Sequence, residues 1–215
     1  MSVDTVPYQR RRPCQYGTVS RLVEVRRMSD DTGHKAWIDA GLKEMGHGGL
    51  AQVRVEVLAK RLGVTKGGFY RRFKDRRALL DALLDTWSGG RIAAVEQQTA
   101  LGNETAADRL KSVIRLYSER ANPEAMAIEL AIRQWARSDA AAAAAVARVD
   151  AARLKNVAQL YARMGLNSAD AQAHAVLFYA FIFGQALLFP DQAPRKRTAL
   201  IAACADVLTN VNPDK

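Results

Sequence analysis

Between residues 32 and 87 the apolar positions recur every three or four residues, in short blocks cut off by glycine or opened by a polar cap. Trp37, Ile38, Gly41, Leu42 and Met45 form one stripe, which predicts a helix over residues 32–45 stopped by Gly46, Gly48 and Gly49. Val55, Leu58, Ala59 and Leu62 predict a second over residues 55–62, closed by Gly63, which supplies the positive φ of a helix end. Thr65 is placed to cap a third helix and Asp75 a fourth, whose inward face is Leu79, Leu80, Leu83, Leu84 and Trp87. Ser88-Gly89-Gly90 then interrupts the fourth helix. Paired small residues permit a bend there; a close helix crossing is the alternative reading.

The rest of the chain reads as further amphipathic helices. Asn122-Pro123-Glu124 opens one with a cap, a proline in the first turn and an acid matched to the helix dipole. Asp139 precedes a long alanine-rich helix ending near Gly165, Ser168 caps another that stops at Phe189-Pro190, and a last one covers residues 194–209. Residues 173–189 are apolar on nearly every face, so that helix needs burial all round. A bundle between two subunits, built with the last helix, provides it; so does a central place in the core of a monomer. Alanine is abundant, while Thr, Ile and aromatics are sparse for a β protein, so the expected fold is all-α.

Charge changes this picture by its placement. Residues 1–80 hold 17 Lys and Arg against 8 Asp and Glu, whereas residues 81–215 hold 15 against 14. Nearly all the excess of +10 therefore surrounds the first four helices, and a polyanion would feel that field before any specific contact formed. Residues 1–28 show no clear period and carry Arg10, Arg11, Arg12, Arg21, Arg26 and Arg27. They read as a flexible basic arm able to follow a duplex backbone or enter a minor groove. A disordered leader, or a start upstream of a true initiator at Met28, fits them as well. Cys14 and Cys204 lie far apart with no metal or redox spacing, which points to a reducing, cytoplasmic setting. The longest apolar run, residues 175–189, is short for a membrane span and contains Gln185.

Two short helices around a glycine turn, with a third helix close behind and cations crowded on the second, are the layout of a helix-turn-helix. The run LAKRLGVTKGGFYRRFKDRRALL, residues 58–80, closely resembles the DNA-binding signature of TetR-type transcriptional regulators. The resemblance implies a homodimer, with a three-helix DNA-binding domain followed by a larger helical domain that binds a small effector and dimerises. The division expected is residues 1–28 for the arm, 29–80 for the helix-turn-helix domain and 81–215 for the effector and dimerisation domain.

The candidate DNA contacts are Arg54, Thr65, Lys66, Gly67, Gly68, Tyr70, Arg71, Arg72, Lys74 and Arg76. Thr65 and Lys66 stand where backbone N–H groups favour phosphate, and Lys66 also has the reach for a guanine edge. Gly67 and Gly68 each cost about 1 kcal/mol of helix stability relative to Ala, tolerable where the backbone must approach a groove. The resemblance gives Tyr70 a phosphate bond; partial core packing is its other role. Arg72 and Arg76 stand where the family usually has His and Lys, and both keep a phosphate partner. Arg71 and Lys74 either touch DNA or are simply solvated. Phe69 and Phe73 belong to the core. Arg54 replaces a usual Thr cap, and Glu56 occupies a place where a contact residue is common, so an acid there repels phosphate unless it accepts from cytosine N4.

The second half shows no nucleophile, phosphate-loop or dinucleotide motif, and the one Glu-x-x-His of the sequence, at Glu44 and His47, falls outside it. Neither enzyme activity, a cofactor nor a metal site is expected. Candidate effector-lining residues are Trp87, Tyr117, Met126, Glu129, Arg133, Trp135 and Tyr161, each with ordinary core packing as its alternative. Arg133 favours an anionic effector. The expected function is a ligand-responsive repressor that holds a palindromic, double-stranded DNA operator as a homodimer. Its two recognition helices would lie one duplex turn, about 34–36 Å, apart. The rival readings are a non-sequence-specific architectural DNA-binding protein and a helical small-molecule carrier or enzyme with a helix-turn-helix-like start.

Overall fold

A computed structural model describes residues 19–100, 102–119, 123–188 and 194–212, with side chains from residue 33 onward except at positions 119, 186, 187 and 194. Every regular element among them is helical: α1 (Val19–Gly48), a single 3-10 turn (Leu50–Gln52), α2 (Val55–Leu62), α3 (Lys66–Tyr70), α4 (Arg76–Thr99), α5 (Ala106–Glu119), α6 (Pro123–Trp135), α7 (Ala140–Arg163), α8 (Ser168–Leu188) and α9 (Pro194–Thr209). The all-α expectation holds.

The caps explain most of these boundaries. Gly63 ends α2 at φ 66°, in the left-handed region, and its N–H reaches back to the Ala59 and Lys60 carbonyls. The Asp75 carboxylate accepts from the Ala78 N–H at 2.8 Å to open α4, and Asp139 accepts from Ala141 and Ala142 to open α7. Pro123 occupies the first position of α6, where its missing N–H costs nothing. The cap of α8 lies one residue before the predicted Ser168: Asn167 Oδ1 accepts from the Asp170 N–H at 3.0 Å. Thr105 caps α5 in the same way through Asp108.

Two elements differ from their sequence expectation. α1 starts at Val19, so residues 19–28 continue the helix backwards into the stretch assigned to the basic arm. From Val19 to Asp31 there is no Gly or Pro, and helix propensity sustains the element where apolar period does not. Residues 1–18, with Arg10, Arg11, Arg12 and Cys14, lie outside the described residues, as do Asn122 and the Phe189-Pro190 stop. α4 runs unbroken through Ser88-Gly89-Gly90. The crossing alternative also fails there, because a Cβ on either glycine would meet nothing within 4 Å.

Two apolar clusters hold the helices together. The first joins Trp37, Phe69, Leu79 and Leu83 of the N-terminal helices to Trp87, Ile132, Trp135 and Val149, so packing continues across residues 80 and 81. At its edge α1 crosses α6 closely: a Cβ at Gly46 would lie 3.1 Å from Ile128 Cγ1 and 3.6 Å from the Glu124 carbonyl oxygen. The second cluster, with Leu110, Ile114, Tyr161, Phe178 and Ile182, binds α5, α7, α8 and α9.

Candidate nucleic-acid interface and effector cavity

Phe69 fixes the short third helix. It is fully buried, meets Trp37 of α1 edge-on at 5.2 Å and stacks with Phe73 at 5.4 Å, which turns the opposite side of α3 to solvent. Thr65, Lys66, Gly67 and Tyr70 are exposed there, Tyr70 by 62%. Arg71 and Lys74 follow on the same open surface and have no ion-pair partner among the described residues; Arg54, at the start of α2, is exposed as well. Thr65 occupies the cap position of α3, but its side chain makes no capping bond. Gly67 is open: the nearest atom to a Cβ there would be Thr65 Oγ1 at 3.7 Å. Gly68 is buried, with only ordinary contact to Val64. The protein's own packing therefore does not demand either glycine.

Three of the candidate contacts are partly engaged within the protein. Lys66 pairs with Glu56 across the turn at 2.8 Å, on an open surface. The hydrogen bond and charge of Lys66 hold the Glu56 carboxyl below its ordinary pKa, and Glu56 in turn raises that of Lys66. Arg76 donates through Nε to the Val53 carbonyl at 2.6 Å and through Nη2 to the Leu50 carbonyl at 3.0 Å, fastening the loop before α2 to the start of α4. Arg72 is half-buried, donates to the Gly68 carbonyl at 3.1 Å and lies over Gly33 of α1. Both arginines thus have structural partners within the protein besides the phosphate expected from their position.

Behind α4 a cavity of about 500 Å³ opens among α4, α5, α6, α7, α8 and α9. Of the seven residues expected to line an effector site, Tyr117, Met126 and Glu129 line this cavity. Trp87 and Trp135 belong to the first core, and Tyr161 to the second, where its hydroxyl donates to the Leu208 carbonyl at 2.9 Å. Burial pushes the Tyr161 and Tyr179 hydroxyls well above their ordinary pKa. Arg133 stands behind the wall. It donates to Glu129 at 2.9 Å, grips Asp150 with both terminal nitrogens at 2.9 and 2.5 Å, and lies over the Phe183 ring at 4.8 Å.

Glu129 is the centre of this network, only 2% exposed. Arg153, itself 3% exposed, donates to both its oxygens at 2.8 and 3.0 Å, and Arg91 Nε lies 3.6 Å away. Burial alone would raise the Glu129 carboxyl, but the Arg153 hydrogen bonds and the charges of Arg153, Arg133 and Arg91 bring it below the ordinary carboxylate value. Sequence reading missed Arg91, Arg153, Phe183 and Gln185 as cavity residues. A single glutamine inside the otherwise apolar run 175–189 was the available signal for Gln185.

Among the described residues no group of His, Cys, Asp or Glu is arranged to hold a metal ion. None of the described helices is long and apolar enough to cross a membrane.

Residues 38–83 match the sequence profile of bacterial regulatory proteins of the tetR family. No curated protein matches the chain in sequence. Among solved structures, one from Rhodococcus sp. assigned to the TetR-family transcriptional regulators shares 24% identity over 83% of this chain and 100% of its own, with a TM-score of 0.65. E. coli NemR in its reduced form shares 14% over 84% of this chain and 99% of its own, with a TM-score of 0.69. Bacillus subtilis FadR, solved with stearoyl-CoA, shares 18% over 82% and 97%, with a TM-score of 0.60. Residues 38–83 are therefore similar to the tetR family of bacterial regulatory proteins, and the chain shares its all-helical fold with a solved structure assigned to the TetR-family transcriptional regulators.

Proposed function

We propose that the protein is a ligand-responsive transcriptional repressor that binds a palindromic operator as a homodimer. The observation that carries this reading is α3 itself: short, exposed, cationic and braced from behind by Phe69. Lys66, Tyr70, Arg71 and Lys74 face one open surface from which a duplex is reachable, and Gly67 keeps the backbone accessible for close approach. Arg54 extends the cationic edge from α2.

Dimerisation is supported by an uncovered apolar stripe on α8. Ala173, Val176, Leu177 and Ala180 lie exposed at helical spacing, and Leu200 and Val207 of α9 add to it. Monomers rarely leave such surface open. Effector response is supported by the position of α6, which lines the cavity through Met126 and Glu129 and meets α1 of the DNA-binding domain where Ile128 faces Gly46. A molecule that displaces α6 presses on the head. It weakens operator binding only to the extent that it prefers the displaced form. That Bacillus subtilis FadR, similar in fold, was solved in complex with stearoyl-CoA supports a small molecule as the ligand.

Selecting fragments of the source genome on the full-length protein tests the reading. A palindromic consensus with half-sites one duplex turn apart is expected. Retention of all fragments alike, with steep salt dependence, favours an architectural DNA-binding protein instead.

A further inference from the structure

We propose that the cavity takes a small amphipathic anion, its head group held by Arg197 and by the amide of Gln185, and its apolar body laid along Leu116, Met126 and Ile182. The proposal rests on the effector-responsive reading above and adds the chemistry of the ligand.

Charge at the wall carries the argument. Three guanidinium groups, Arg91, Arg153 and Arg197, line the cavity against one carboxylate, Glu129. That carboxylate is already engaged: Arg153 donates to both oxygens and Arg133 to one. A cationic guest would therefore find three arginines and no free anion. Arg133, the residue that suggested an anionic guest from sequence, is held by Glu129 and Asp150 behind the wall, so it is not the one that meets the ligand.

What remains unmatched belongs to side chains that line the cavity. Arg197, near the start of α9, has no ion-pair partner among the described residues, and its Nε is enclosed without an acceptor. Gln185 is 2% exposed; one end of its amide meets the Ser118 hydroxyl at 2.8 Å and the other meets nothing. The Arg153 Nε is likewise buried with no partner. Native interiors rarely leave buried polar atoms unmatched. Here several belong to one cavity lining with an excess of positive charge, which also holds the apolar Leu116, Met126 and Ile182. A carboxylate or phosphate head on a hydrocarbon body matches both kinds of lining residue, and about 500 Å³ accommodates a medium-length chain.

Calorimetric titration of the full-length protein with decanoate, decyl phosphate, decanol and decylamine tests this, since the probes share a tail and differ in head. Decanoate or decyl phosphate should bind at least about tenfold tighter than decanol, as expected for hydrogen bonds to a charged group, and decylamine should not bind measurably. The two anions separate a carboxylate site from a phosphate site. Arg197→Gln should lose about tenfold in anion affinity and leave decanol unchanged. Met126→Trp, checked for an unaltered melting temperature, should abolish binding by filling the cavity. Equal binding of decanol and the anions, tighter binding of the amine, or no binding of either anion overturns the proposal, as does full anion affinity in Arg197→Gln. Release of a selected operator is followed in parallel. Anion binding without release upholds the ligand chemistry and defeats only the effector-responsive reading.

Discussion

Glu56 and Lys66 hold each other on the surface where a phosphate backbone would compete for Lys66. Glu56→Gln removes both the competitor and a charge that repels DNA. Binding should strengthen at low salt, and the slope of log affinity against log salt should steepen by up to about one. Unchanged affinity and slope would place this pair outside the interface. Arg76 has a different job, because two of its donors fasten the Leu50 and Val53 carbonyls. Arg76→Ala should lower unfolding stability by about 1–3 kcal/mol in denaturant titration without DNA present. A variant as stable as the parent would return Arg76 to a phosphate-binding role alone. Glu129 is buried, charged and surrounded by arginines. Glu129→Gln leaves Arg153 with only the longer Asp150 carboxylate contact at 3.4 Å, at a cost of about 3–5 kcal/mol at neutral pH. The folded-state pKa of Glu129 is depressed, so its stabilisation is fully present above the ordinary value of 4.5 and is lost as pH falls through the lower, folded value. The gap between parent and variant should therefore close on acidification below about pH 4.5, and a gap constant from neutral pH into acid would contradict the assignment.

Helix α4 connects the reading head to the cavity wall, from Arg76 to Arg91 and beyond, without a break. Gly89 and Gly90 are exposed and pack against nothing, so each weakens the helix by about 1 kcal/mol relative to Ala. The Gly89→Ala/Gly90→Ala variant should melt higher, retain operator affinity and change the effector concentration needed for release. Unaltered release would remove the hinge role. Elements whose ends depend on local chemistry were legible in the sequence: Gly63, Asp75 and Asp139 act as their residue types dictate. Ser168 was misplaced by one residue because Asn167 caps equally well and the apolar pattern does not separate them. The early start of α1 was hidden because apolar period measures an inward face, not helix formation. The exposed face of α3 was readable from Phe69 and its cationic neighbours. The cavity was mostly not, since Trp87, Trp135 and Tyr161 are aromatic in sequence whether they line a void or fill a core. Arg153 joins Glu129 from 24 residues away, a pairing visible only once α6 and α7 are packed.

At the scale of the molecule, the reading head and the cavity share one framework. The first core runs from Trp37 through Leu83 and Trp87 to Trp135 and Val149, and Arg77 ties the start of α4 to the Asp139 cap of α7 at 2.5 Å. Strain at α6 therefore has a packed route to α1 and α4. The uncovered stripe of α8 gives a second test. Leu177→Glu puts a charge at the centre of the proposed subunit contact, so sedimentation should shift from dimer to monomer and operator affinity should fall with it. A variant that sediments as the parent does would move the contact elsewhere. Specific binding through the open face of α3 is the claim on which the rest depends. The most direct measurement is a fluorescence titration of the full-length protein against a selected palindrome and a scrambled duplex of the same length and salt, repeated with Lys66→Ala. The expected result is saturable binding with at least about a thousandfold preference for the palindrome, reduced in the variant; equal affinity for both duplexes, or no binding at low ionic strength, would contradict it.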